Sequence, residues 1–296
     1  MLGLGAIRSD APEPPRVVQV GQVTAVAWPA QLELAAELAR EAARPSEWPG
    51  LGLRAVDSFR LIVVPDARRL DSLTRGRAPT WAAAVALPES RTIVLRADGE
   101  ALQGILRHEL AHLTLHEAVK GRVPLWFDEG YAGWAAGEWD RLGLLELNLS
   151  VARGALPTLT RLDAALRGAT STADAAYALA VSAVTELARR NPTGTLDPLM
   201  ARLVAGDDFD AAVLATTGLT LDRFEEEWQR AVRRRYSLVT WLLATGGWLL
   251  VALGVLGLVH FRRRADRERR AALDDGWVVE PETEPGPELD PTRDRW

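Results

Sequence analysis

Apolar and polar residues alternate from Val17 to Trp28 on either side of Gly21, the period-two pattern of one or two short strands. The period then lengthens. From Gln31 to Ala43, Leu34, Leu38 and several alanines recur at helical spacing. Arg60 to Val64 is a β-branched run stopped by Pro65, and Trp81–Leu87 and Arg91–Leu95 read as two further strands joined by the turn Pro88-Glu89-Ser90. From Asp98 onward helical periodicity takes over, predicting helices at about 99–118, 127–137, 172–190, 195–205, 208–216 and 220–235. Strands first and helices afterwards predict one α+β domain over residues 17–236.

A different pattern follows. Leu238 to Val259 carries no charged residue, only threonines and glycines among Leu, Val, Ala and Trp. At about 1.5 Å per residue it reaches about 33 Å, enough to cross a bilayer core, and it predicts a transmembrane helix over 237–261. Arg262, Arg263, Arg264, Arg267, Arg269 and Arg270 follow it, against Arg230, Arg233, Arg234 and Arg235 before it. That asymmetry places the C-terminus inside and the folded domain outside a cytoplasmic membrane, with arginines at the headgroups. Residues 262–296 begin basic and turn rich in Pro, Glu and Asp, the composition of a disordered tail. At the other end, residues 1–16 open with an apolar Met1–Ile7 that lacks the basic start of a secretory signal. It reads equally as the remnant of one or as a frayed terminus.

Composition removes several classes of function. The chain has 296 residues, 48% of them hydrophobic and 25% charged, which suits a globular domain with a real core. Its net charge of -5, with no basic groove interleaved with aromatics, speaks against nucleic-acid binding. With no cysteine, disulfides and thiolate metal sites are excluded. Histidine is scarce, at four residues, yet three of them stand at positions 108, 112 and 116.

His108-Glu109-Leu110-Ala111-His112 is an H-E-x-x-H sequence inside a helical pattern. Residues at i and i+4 project from one helix face, so both imidazoles can meet a single ion. Their nitrogens suit one Zn²⁺, at about 2.0–2.1 Å. Glu109, on the flank of that face, is placed to act as general base on a water. A catalytic zinc needs a third protein ligand and an open position. Gly121 and Pro124 end the first helix, and a second begins near Phe127. An antiparallel pair with a tight loop returns Glu129 alongside His112, in a first turn where the helix dipole favours a carboxylate. His116 continues the same face about 6 Å further along the axis, which makes it a packed or partly exposed residue, not a ligand.

His108-Glu109-x-x-His112 followed by Trp126-Phe127-Asp128-Glu129-Gly130 resembles the glutamate-zincin peptidases, in particular the bacterial peptidase-MA-like domains. The similarity runs from about Arg60 to Tyr236 and takes in the Ala-Tyr-Ala-Leu-Ala run at 176–180 and the Gly218 to Trp228 pattern. A single membrane helix with a basic flank is also similar to some bacterial members. The resemblance implies a zincin-like fold, Glu129 as third zinc ligand, and hydrolysis of peptide or protein substrates by a zinc-activated water with Glu109 as base. It further implies that Tyr177 stabilises the oxyanion, and that the strand at Trp81–Ala86 is either an edge that pairs with an extended substrate or an ordinary core strand. Thermolysin-like enzymes carry an aspartate four residues after the ligand glutamate. Gly133 stands there in this sequence, so the support of the ligands must come from elsewhere, with Asp128 the expected source. The competing expectation is a non-catalytic, membrane-anchored module that keeps the zincin fold for binding or assembly. The intact ligand set and Glu109 weigh against it.

Overall fold

The computed structural model describes residues 13–76, 78, 82–138, 156–168 and 170–235, and separately 252–264, 266–267 and 269–270. Among the described residues the strands, all before residue 97, are β1 (Arg16–Val20), β2 (Val23–Ala27), β3 (Ser46–Trp48), β4 (Gly52–Arg54), β5 (Phe59–Val64), β6 (Ala84–Leu87) and β7 (Thr92–Arg96). Five of them form a sheet in the order β1-β2-β5-β7-β6, and β3 and β4 pair as a small hairpin. β2, β5 and β7 run parallel, with Val26 opposite Ile62 and Leu61 opposite Ile93. The outer strands β1 and β6 are antiparallel to their neighbours, which leaves β6 as an edge.

The alternation in sequence becomes two unequal cores. Val23, Ala25 and Ala27 of β2 join Leu61 and Val63 of β5 and Ile93 and Leu95 of β7 on one face. That face is covered by α1 (Leu32–Ala42) and α3 (Leu102–Ala118). Val64 and Val94 point the other way, to a small cluster with Leu70 of α2 (Ala67–Thr74). The remaining helices are α4 (Leu125–Ala136), α5 (Leu159–Leu166), α6 (Thr170–Arg190), α7 (Asp197–Ala205), α8 (Phe209–Thr217) and α9 (Leu221–Arg235). They continue the same core. Trp126 of α4, 1% exposed, stacks on Phe224 at 6.2 Å and meets Phe209 edge-on at 5.8 Å. Trp228 is fully buried and satisfies its indole N–H by donating to Ser182 Oγ at 2.9 Å.

The α+β expectation holds, with additions. α2, α5 and the β3–β4 hairpin have no counterpart in the hydrophobic periodicity. α2 buries only Leu70 and Thr74 and is started by Asp66, whose carboxylate accepts from Arg69 N–H at 2.9 Å. α5 is one short amphipathic piece burying Leu159, Leu162 and Leu166 behind a Thr158 cap. β3 and β4 are three residues each, too short to show a period. β6 begins at Ala84, and Trp81 lies outside the described residues.

Among the described residues no helix is long and apolar enough to cross a membrane. Most of the stretch expected to do so, residues 236–251, lies outside the described residues, as do 1–12 and the tail at 271–296. Residues 252–264 are helical and carry Leu253, Val255, Leu256 and Leu258 on the surface. By contacts the chain divides into Met1–Thr240 and Trp241–Trp296.

α4 has Pro124 at its N-cap and no side-chain cap of its own. Its first turn is closed from another helix: Trp126 N–H donates to Asp163 Oδ1 of α5 at 2.7 Å. Removing that acceptor strands a partly buried donor, so Asp163→Ala is expected to cost about 1–2 kcal/mol of stability. Urea titration followed by tryptophan fluorescence measures it, and a loss below about 0.3 kcal/mol would show that the cap contributes nothing.

Candidate metal centre

α3 buries Leu106, Leu110, Leu113 and Thr114 and so fixes which way its other face looks. On that other face His108 and His112 stand one turn apart, their rings edge to face with centroids 5.0 Å apart. The chain leaves α3 at Val119 and re-enters helix at Leu125, and α4 packs back along α3. Glu129 arrives between the two rings. Its Oε2 lies 3.5 Å from His108 Nε2 and 3.5 Å from His112 Nε2. α4 starts earlier than the periodicity predicts, so the first-turn carboxylate is Asp128 and Glu129 stands one residue deeper. The helix dipole therefore acts most directly on the carboxylate of Asp128.

These atoms suit zinc. Donors at about 2.05 Å on a tetrahedron stand about 3.3–3.4 Å from one another. The two nitrogen–oxygen separations of 3.5 Å are close to that edge, and the three ligand atoms all lie within 4.8 Å of one another. The far side of each ring is held by a carboxylate. His112 Nδ1 is 2.7 Å from Asp128 Oδ1, and His108 Nδ1 is 3.1 Å from Glu138 Oε2. A hydrogen on each Nδ1 leaves the Nε2 lone pair directed at the shared position, the arrangement that metal-binding imidazoles require.

Charge makes the same demand. Glu109, Asp128, Glu129 and Glu138 surround two imidazoles, so the cluster calls for positive charge. Burial would lower the pKa of His108, but hydrogen bonds to Glu129 and Glu138 outweigh it and push it up to about 9. His112 is raised too, its burial overcome by Asp128 and Glu129. Glu129 moves the opposite way: burial opposes ionisation, yet the two imidazoles hold it down at about 2. Asp128 is likewise depressed by His112 and His116 against its burial.

Glu109 differs from these. It is 8% exposed, and burial raises its pKa against the pull of His108 and His112. A backbone hydrogen bond from Ala86 of the edge strand β6 also reaches its carboxylate. A carboxylate with a raised pKa beside a metal position is suited to taking and returning a proton. Tyr177, on α6, sits with its ring 6.4 Å from that of His108. His116 is outside the ligand set, and its Nε2 instead lies 2.7 Å from Asp128 Oδ2. Asp128, the expected support, thus holds two histidines. Glu138 was not anticipated from sequence. The only hint was Gly137, a helix-ending residue that turns the chain back before it.

Gly130, next to the ligand glutamate, has a packing role. A Cβ there would stand 2.4 Å from Ala180 O of α6, so α4 can lie against α6 only with glycine at this position. Elsewhere, a cavity of about 790 Å³ opens beside Ser182, Glu186, Trp228 and Arg235, between α6 and α9. It shares no residue with the cluster, and Glu186 in its wall is already paired with Arg189 and Arg190.

A family model described as Peptidase MA superfamily matches residues 68–234, more than half of the chain and the whole of the cluster. No curated protein matches the chain.

The pKa directions fix how metal and pH should combine. His108 folds with a value of about 9 against an ordinary 6.5, so its contribution to the metal-free protein is complete below about pH 6.5 and disappears as pH rises through 9. Zinc needs those rings deprotonated, so its affinity grows over the same interval. The rise in Tm produced by zinc over a chelated sample should therefore widen from about pH 6 to about pH 9. A rise that is flat or shrinks with pH would contradict the ligand assignment.

Proposed function

The chain belongs to the Peptidase MA superfamily, and on that footing we propose that it is a zinc-dependent metallopeptidase whose metal is held by His108, His112 and Glu129. The observation that carries this reading is the convergence of two Nε2 atoms on one Glu129 oxygen, at 3.5 Å each, beside a buried carboxylate that is not a ligand. Bound there, zinc supplies a Lewis acid that polarises a peptide carbonyl and makes water nucleophilic near neutral pH. Glu109 accepts the proton of the attacking water on its carboxylate and returns it to the departing amine nitrogen. Tyr177, beside His108, donates to the carbonyl oxygen as negative charge builds there.

β6 gives the substrate its place. Among the described residues it is one of the two edge strands of the sheet, antiparallel to β7, and packs beside α3. An extended peptide added to that edge would be gripped by main-chain hydrogen bonds and would run past Glu109, which Ala86 of β6 already touches. The domain is held at a bacterial cytoplasmic membrane by residues 238–259, facing outward, with the arginine-rich tail inside. The apolar run in that stretch and the surface position of Leu253, Val255, Leu256 and Leu258 support the anchor. A module retained only for binding would have no use for a buried, non-ligating Glu109.

Glu109→Gln keeps the size of the side chain and removes the base. The variant is expected to bind zinc as the parent does and to lose about 10²–10⁴ in peptide turnover. Zinc content by elemental analysis and cleavage of a peptide library read the two effects separately. Cleavage at the parental rate would remove Glu109 from the mechanism, and cleavage by neither protein would favour the binding module.

A further inference from the structure

The two imidazoles are supported from different places. Asp128, which holds His112, immediately precedes the ligand Glu129 in α4 and moves with it. Glu138, which holds His108, lies beyond the end of α4. Between them stands Gly137 in the left-handed region, φ 71°, its N–H bonded back to Gly133 O and Trp134 O. That turn ends the helix and sends the following residue back toward the metal position.

Gly133 shows why the support comes from so far along the chain. A Cβ at 133 would stand 2.7 Å from Val181 Cγ2 of α6 and 3.4 Å from Glu138 Oε2. The close packing of α4 on α6 leaves no room for a side chain on this turn, one helical turn after Glu129. The Glu138 carboxylate reaches the edge of the same space from outside the helix. It is 25% exposed and His108 13%, so the pair is partly withdrawn from water.

We infer that Glu138 is the positioning residue of His108: accepting from Nδ1–H, it fixes the ring's tautomer and rotation and directs Nε2 at the metal position, and the turn at Gly137 is what delivers it. The inference rests on the metal reading above, since it assigns a support to one of its ligands. Among the described residues Glu138 is outside the group of converging ligand atoms, and it meets His108 at Nδ1. Without it the imidazole is free to rotate, and a partly buried N–H loses its acceptor.

The test uses the full chain with Glu138→Ala and Glu138→Gln, read by zinc dissociation constant in chelator competition and by the imidazole ¹⁵N–¹H signals of the zinc-loaded protein. Glu138→Ala should weaken zinc about 10–100-fold and lose the exchange-protected Nδ1–H signal of His108. Glu138→Gln, whose amide oxygen still accepts, should keep the signal and weaken zinc less. If Glu138→Ala does not fold, Glu138→Asp replaces it: the charge is kept but the reach is shortened, and the same weakening and lost signal are expected. Parental zinc affinity in Glu138→Ala or Glu138→Asp, or an unchanged His108 signal, overturns the positioning role while leaving the metal reading intact. Failure of the parent protein to bind zinc overturns both.

Discussion

Everything in this domain is arranged around an electrostatic difficulty: carboxylates and imidazoles gathered where water is scarce. Glu129 sits 3.5 Å from two ring nitrogens, and Asp128 and Glu138 press on the far side of the same rings. Burying such charges singly costs several kcal/mol each, and only mutual pairing or a shared cation offsets that cost. Hydrogen bonds to Glu129 and Glu138 push the pKa of His108 up to about 9 against its burial, and the two imidazoles hold that of Glu129 at about 2. One divalent ion supplies the same positive charge at one point, and both Nε2 atoms already face that point.

Holding that geometry is a packing problem, and α4 solves it by being clamped on two sides. It lies along α3, which carries the histidines, and against α6, which carries Tyr177. Glycine at 130 permits the second contact, since any side chain would run into Ala180 O. Asp163 ties the first turn and Trp126 locks the inner face against Phe209 and Phe224. These contacts lie far from any substrate, yet they set where the Glu129 carboxylate stops. Ligand geometry in such sites is only as good as the elements beneath it.

How much of this could be read from residues alone follows from sequence distance. The His108–His112 pair is visible because helix geometry converts a spacing of four into a shared face. Glu129 is visible because a short loop leaves a following helix little choice but to fold back. Asp128 comes with it as an immediate neighbour. Glu138 is hidden because its position depends on one dihedral, φ 71° at Gly137, and on space left by the missing side chain of Gly133. The same rule covers the fold. β2 and α1 announce themselves by repeated periods and β5 by its β-branched run, whereas α2 and α5 bury two or three residues each and rely on the caps of Asp66 and Thr158. Periodicity sets the start of α4 near Phe127, whereas the helix begins at Leu125 behind Pro124.

His116 bears on whether such a site is built to react or merely to brace the fold. A third histidine stands on the same helix face, but one turn beyond His112 and so about 6 Å further along the axis, too far to complete a four-donor structural site. Here its Nε2 is directed instead at Asp128 Oδ2, 2.7 Å away, and among the described residues the converging donors remain His108, His112 and Glu129. Asp128 thus places one oxygen against His112 and the other against His116. Structural zinc sites close all four positions with protein, whereas catalytic ones hold three and keep the fourth for water or substrate. Three converging donors among the described residues and a buried carboxylate beside them are what the proposed reaction needs, and the neighbouring edge strand β6 is where we propose that an extended chain is held.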